Sequence, residues 1–376
     1  MAFEYIQKAL VERKQVSLYR TRIAFDKVGP RTLTYQGREY LNFASNDYLA
    51  LSQAPINSIE SQLGSTSSSL VTGYQHAHLA LEQYLTETLK YDACLLFNSG
   101  FSANASVLKS LMNAPESEIF QDKLNHASLI DGGLAASATN TRFNHNDLKH
   151  LNRRLEKSKA KHKLIVSEGV FSMDGDNAPI EDLATIASEH NAWLMIDDAH
   201  AFGVIGENGL GSATKIKPEI LIITFGKACA SSGAAVLCSK EVANYLVQFN
   251  RDYTYSTAMS PWLASATYVR LQQVYNATIE RQKLQHNIQY FRDLAAEHKL
   301  ALMPSNSAIQ PLVLGDSEAC LNLSGYLKEK GIWLTAIRPP TVPHNTARLR
   351  ITLTAAHQQD DIDQLINHLV TGLKTL

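Results

Sequence analysis

A lysine set among small, apolar residues can do chemistry that a surface lysine cannot. Thr224-Phe225-Gly226-Lys227 closes an apolar run, and Ala228, Cys229, Ala230, Ser231, Ser232 and Gly233 follow it. Withdrawal from water favours the neutral amine, and only the neutral amine adds to a carbonyl to give a Schiff base. Taken alone, Lys227 reads as a solvated surface group, as most lysines are; its small neighbours suit a close-fitting ligand better. A second group stands in Met195-Ile196-Asp197-Asp198-Ala199-His200, where an apolar run ends in a carboxylate and a histidine follows three residues on. Such a carboxylate can simply cap the next turn.

Together the two motifs suggest more. A pyridoxal ring needs a protonated pyridine nitrogen to accept electrons, and Asp197 at a strand end would supply the partner. His200 would reach the phenolic oxygen of the same ring. In Phe97-Asn98-Ser99-Gly100-Phe101-Ser102-Ala103-Asn104 a strand meets a glycine and then a helix. Backbone N–H groups at a helix start, together with the helix dipole, suit a phosphate. This turn is common by itself and gains meaning only beside Lys227 and Asp197. His126, in Asn125-His126-Ala127-Ser128, reads as structural alone and, in this company, as a group that stacks on the ring. In Thr346-Ala347-Arg348-Leu349-Arg350-Ile351, alternation puts Arg348 and Arg350 on one face of a strand. One could be a solvated edge residue; either is well shaped to grip a carboxylate with two parallel bonds.

Several elements must position these groups. Apolar runs at residues 93–97, 163–167, 193–196, 220–224 and 234–238 alternate with helical stretches such as 180–190. That rhythm predicts a mainly parallel sheet covered on both faces, with its ligand at the carboxyl ends of the strands. Asp197 and Lys227 then fall on neighbouring strands separated by one βα unit. Ahead of the sheet, Phe3, Ile6 and Leu10 predict an amphipathic helix. Residues 32–35 and 40–43 predict a hairpin turning at Gly37, and Leu81, Leu85 and Leu89 predict another helix. After it come long helices over 262–299 and a mixed tail. The expected division is an N-terminal helix and hairpin over 1–40, a large cofactor domain over 41–285 and a small α+β domain over 286–376.

The chain has 376 residues, 45% hydrophobic and 19% charged, enough to bury a large core and too apolar for disorder. A net charge of −1 and the absence of basic runs predict neither a nucleic-acid partner nor a membrane surface. Four cysteines, without metal-ligand spacing, read as buried thiols, so no metal is expected. The N-terminus lacks a signal-peptide core and no stretch is long and apolar enough to span a bilayer, so a cytoplasmic location is expected. Gly206-Glu207-Asn208-Gly209-Leu210-Gly211 does not follow a strand directly, which argues against a dinucleotide-binding module.

These motifs, with LNFASNDYLALS (41–52), LVTGYQHAHLALE (70–82), NHASLIDG (125–132) and SEGVFSMDGD (167–176), resemble the α-oxoamine synthases, a family of fold-type I pyridoxal-phosphate enzymes. The resemblance runs from about residue 6 to about residue 365. It implies an α/β fold with a mainly parallel, seven-stranded-type sheet flanked by helices, a smaller α+β C-terminal domain, and pyridoxal 5′-phosphate as cofactor. By the same resemblance Lys227 carries the cofactor, Asp197 holds the pyridine nitrogen and His200 the phenolic oxygen, and Ser172 and Thr224 contact the cofactor. Gly100 and Phe101 lie at its phosphate, and His126 stacks on the ring. Arg350 takes the amino-acid carboxylate, and Arg20 and Thr341 face substrate. Ser256 and Thr257 reach the phosphate of a partner subunit, so a homodimer is implied. The segment AIRPPTVPHNTARLRITLTAAH (336–357) is similar to members that join L-alanine to a pimeloyl thioester, on coenzyme A or an acyl carrier protein. Other members use glycine with a short acyl-CoA, and aminotransferases share the fold. Departures from the family pattern are Ala201 and Phe202 after His200, Ala228 and Cys229 after Lys227, and the serine-rich GSTSSSL (64–70).

Overall fold

A computed structural model describes residues 3–56 and 58–374. It divides into two compact units: Leu51–Ser172 with Asn177–Arg281, and Met1–Ala50 with Met173–Asp176 and Gln282–Leu376. Residues 1–40, expected as a segment of their own, thus group with the C-terminal elements.

The larger unit is built on seven strands: Ala93–Phe97 (β1), Ser117–Asp122 (β2), Thr139–Phe143 (β3), His162–Glu168 (β4), Trp193–Asp197 (β5), Ile220–Thr224 (β6) and Ala234–Cys238 (β7). They lie in the order β1-β7-β6-β5-β4-β2-β3. Only β7 runs against its neighbours. The central strands are buried along their length, which is why β6 (ILIIT) and β7 (AAVLC) read as unbroken apolar runs rather than alternations. Leu95, Val107, Leu108, Ile119, Val166, Met195, Ile222 and Val236 belong to one buried cluster, the core under the site.

Five of the strands sit where the apolar runs predict them. The other two, SEIFQD and TNTRF, are rich in polar residues, and β3 is an edge strand with one neighbour. The link between β5 and β6 departs from expectation: it holds no crossover helix, only the short helical turn Glu207–Gly209. Gly203, Gly206, Gly209 and Gly211 there all have left-handed φ, which a helix cannot accommodate. The Asp198 carboxylate pins this link by accepting from the Ser212 backbone N–H at 2.9 Å and from its hydroxyl.

In the smaller unit, Thr32–Tyr35 and Arg38–Asn42 form the expected hairpin, with Tyr35 opposite Arg38. Its two turn residues, Gln36 and Gly37, have φ of 52° and 73°, the backbone that matches strand twist in a two-residue loop. A three-stranded sheet places Ala347–Thr352 between Ile309–Gly315 and Thr335–Ile337. Helices Ser317–Glu329 and Gln359–Leu373 pack against each other. The N-terminal helix forms over Glu4–Gln15, but none of its residues is buried. All four cysteines are buried, and none is in a disulfide among the described residues. Among the described residues no helix is long and apolar enough to cross a membrane, and no cluster of side chains could hold a metal ion.

Candidate active site

Lys227 sits in a nine-residue connection, Phe225–Gly233, between the antiparallel strands β6 and β7. The loop is closed on itself: the Phe225 N–H donates to Gly233 O at 2.9 Å, Ser231 N–H to Phe225 O at 2.8 Å and Ala230 N–H to Lys227 O at 2.8 Å. Gly233, at φ 100°, lies so near β1 that a Cβ would stand 3.0 Å from Phe97 O. Lys227 is half-buried, and its Nζ donates to Thr224 Oγ1 at 3.2 Å.

Asp197 ends β5, with Glu168 opposite it on β4 and Ile222 opposite on β6. Its carboxylate is buried; Oδ2 accepts from Asn104 Nδ2 at 2.6 Å and Oδ1 from the Ala199 N–H at 3.0 Å. Asn104 Nδ2 also lies 2.9 Å from Ser128 Oγ, and Ser128 Oγ lies 2.7 Å from His126 Nδ1. His126 stands just before the helix Ala127–Ala135, and its backbone N–H donates to Glu168 Oε1. Burial lowers the pKa of His126; the Asp197 charge opposes this and the Lys227 charge adds to it. Burial pushes the Glu168 carboxyl well above the usual carboxylate range, reinforced by the Asp197 charge. Burial likewise raises Asp198, to about 7.

The third corner is the start of the helix Gly100–Leu111. Ser99 caps it by accepting from the Ser102 N–H at 3.1 Å. The first amides of a helix have no intrahelical acceptor. A Cβ on Gly100 would meet Thr224 Cγ2 at 2.5 Å, so this turn lies against the end of β6. Phe101 is 48% exposed, and its ring meets that of His126 edge-on at 6.3 Å. Ser172 and His200 are buried. Thr257 is exposed, and its carbonyl accepts from Asn98 Nδ2 at 2.8 Å.

The expected residues Lys227, Thr224, Asp197, His200, His126, Ser172, Gly100, Phe101 and Thr257 all belong to this larger unit, and the strand-end residues share its carboxyl edge. Arg350, Arg20 and Thr341 belong to the smaller one. There Arg350 Nη1 donates to Asn46 Oδ1 and Thr352 Oγ1, both at 3.1 Å. Arg348, on the same face, is taken up by a buried ion pair with Asp174 at 2.7 Å. Neither arginine is a solvated edge residue, because their strand is the central one of its sheet. Arg20 Nη2 donates to Thr341 Oγ1 at 2.7 Å, at the surface.

Sequence reasoning passed over Asn104, Ser128 and Glu168. Glu168 carries the same signal as Asp197, an acid ending an apolar strand; Asn104 and Ser128 carry none beyond being polar on helix faces that are otherwise apolar.

The larger unit fits a pyridoxal phosphate. Two bonds to the buried Asp197 carboxylate leave lone pairs for a ring N–H. An amine stands one strand away, and a glycine-opened helix start lies beside it.

The family model for aminotransferase class I and II matches residues 38–369. The 8-amino-7-oxononanoate synthase of Photobacterium profundum is 46% identical over 97% of this chain and 95% of its own. The structure of the same-named enzyme from Francisella tularensis superposes with a TM-score of 0.75, at 29% identity, covering 89% of this chain and 98% of that one. Serine palmitoyltransferase of Sphingomonas wittichii superposes with a TM-score of 0.92, at 25% identity, covering 99% of this chain and 98% of that one. The chain belongs to the aminotransferase class I and II family and, within its pyridoxal-phosphate enzymes of fold type I, to the α-oxoamine synthases.

Proposed function

We propose that this chain condenses L-alanine with a pimeloyl thioester, on coenzyme A or an acyl carrier protein, releasing carbon dioxide and 8-amino-7-oxononanoate for biotin synthesis. The observation that carries the reaction class is the buried Asp197 carboxylate, one strand from the lysine loop and with lone pairs to spare. The kinship with a synthase of that name carries the choice of substrates.

When bound, pyridoxal phosphate supplies a sink for the electron pair left at the substrate Cα. The protein's own groups do the rest. Lys227 would hold the cofactor, and its amine would take and return the Cα proton. Asp197 keeps a proton on the ring nitrogen. His200 would hold the phenolic oxygen, Ser172 would contact the cofactor, and Thr224 braces Lys227. His126 stacks on the ring. The amides of Gly100 and Phe101 take the phosphate, with Ser256 and Thr257 supplied across a homodimer. Arg350 orients the alanine carboxylate until it leaves. Arg20 and Thr341 face the substrate, and Phe202 and Ala228 are the departures that bear on acyl-chain selectivity. The assembly works in the cytoplasm.

The test is thiol release from pimeloyl-CoA with L-alanine, followed alongside the absorbance of the bound cofactor. Release with alanine, and little with glycine or acetyl-CoA, is the expected result. Activity confined to glycine and acetyl-CoA would overturn the substrate assignment and keep the family.

A further inference from the structure

Asn104 is 2% exposed and Ser128 fully buried, and both are bonded on each side. Counting protons along these contacts leaves one arrangement. Asp197 Oδ2 lies 2.6 Å from the Asn104 amide, so a nitrogen must face it, since two oxygen acceptors at that distance repel. The second proton of the same nitrogen goes to Ser128 Oγ at 2.9 Å. Having accepted there, Ser128 Oγ keeps one lone pair and its own proton to offer His126 Nδ1 at 2.7 Å, and the backbone N–H beside it selects the proton. The Ser128 backbone N–H points at the same ring nitrogen, 3.3 Å away. Two donors therefore converge on Nδ1, which must carry its lone pair.

We infer that Asn104 and Ser128 are positioning residues that hold His126 as the neutral tautomer protonated at Nε2 and tie it to Asp197 through one chain of hydrogen bonds. Other features agree. His126 Nδ1 also serves as the N-cap acceptor of the helix Ala127–Ala135, and the positive end of a helix disfavours an imidazolium. Burial depresses the pKa of the ring in the same sense. Asn104 Oδ1 is buried without a hydrogen-bond partner, an expensive arrangement if stability alone placed the amide. Because Asp197 is at the far end, a change in its charge is felt first at Asn104 and then at His126.

This inference rests on the proposed roles of Asp197 and His126, yet its test does not need turnover. The full chain is labelled with 15N-histidine, and the ring resonances of His126 are assigned by loss in His126→Gln. Spectra at neutral pH should show an imine-type Nδ1 and a pyrrole-type Nε2. In Ser128→Ala the Nδ1–H form should rise about tenfold, the worth of one neutral hydrogen bond, and Ser128→Thr should restore the wild-type ring. A protonated Nδ1 in the wild type, or a ring unmoved in Ser128→Ala, would overturn the inference. If Ser128→Ala does not fold, the wild-type spectrum decides by itself. Failure of alanine and pimeloyl-CoA as substrates would leave this result standing, so the two readings fail separately.

Discussion

Replacing Asp197 by Asn keeps the shape of the group and removes its charge. Cofactor should still bind, while turnover falls about a hundredfold or more, as when a preorganised charge is lost from a buried site. Near-normal steady-state rates would sink the role given to Asp197. Arg350→Lys tests the other unit: a point charge replaces a planar fork, so KM for L-alanine should rise about tenfold with a smaller change in kcat. An unchanged KM would remove Arg350 from the carboxylate. At this scale the sequence was most informative where chemistry breaks a pattern. Lys227, Asp197 and His200 end or follow apolar runs, where a charge stands out. Asn104 and Ser128 sit inside helices whose other buried residues are small or apolar, and a polar residue there reads as ordinary surface until the helix is docked. Their roles depend on a bond made across 24 residues of chain, which no local pattern encodes.

Among the elements, unbroken apolar strands were legible because burial on both faces leaves only one kind of residue. The edge strand β3 was not, since a half-covered strand tolerates polar residues that imitate loop; nor was β2, which is buried but ends in Gln121 and Asp122, whose polar atoms are hydrogen-bonded. The β5–β6 link was misjudged for a related reason: apolar stretches 20-odd residues apart suggest a crossover helix, yet glycines at left-handed φ and the buried Asp198 hold an irregular loop. Two element-level changes follow from packing. Gly100→Ala drives a Cβ into Thr224 Cγ2 and should weaken cofactor retention in dialysis, because helix start and strand end must part. Asp174→Asn removes one partner of a buried ion pair in which both side chains are under 10% exposed. Breaking such a pair costs about 3–5 kcal/mol, so the urea midpoint should fall clearly; an unchanged midpoint would show that Arg348 is paired otherwise.

For the molecule as a whole, acid should loosen the smaller unit through His357. Its ring stacks on Phe43 at 4.3 Å, its Nδ1 accepts from the Thr354 N–H at 3.0 Å, and burial lowers its pKa to about 4. The unfolded chain binds a proton near pH 6.5 that the folded unit refuses until about pH 4. The contribution is therefore complete above pH 6.5 and is lost as pH falls toward 4, up to about 3 kcal/mol. Unfolding curves at pH 7.5 and pH 5 should show the loss in the wild type and a smaller one in His357→Gln. The lysine loop carries a further consequence, for the order in which the chain folds. Joining β6 to β7 takes nine residues, whereas β5 and β6 meet only after a 22-residue excursion. Short closures lose less chain entropy and so occur earlier. In pulse-labelled hydrogen exchange during refolding, the Phe225 amide, bonded to Gly233, should gain protection before the Asp198 amide, bonded to Ile222 across the parallel pair. The lysine would then be in place while its aspartate is still finding its strand, making assembly of the parallel pair the slow step in building the site.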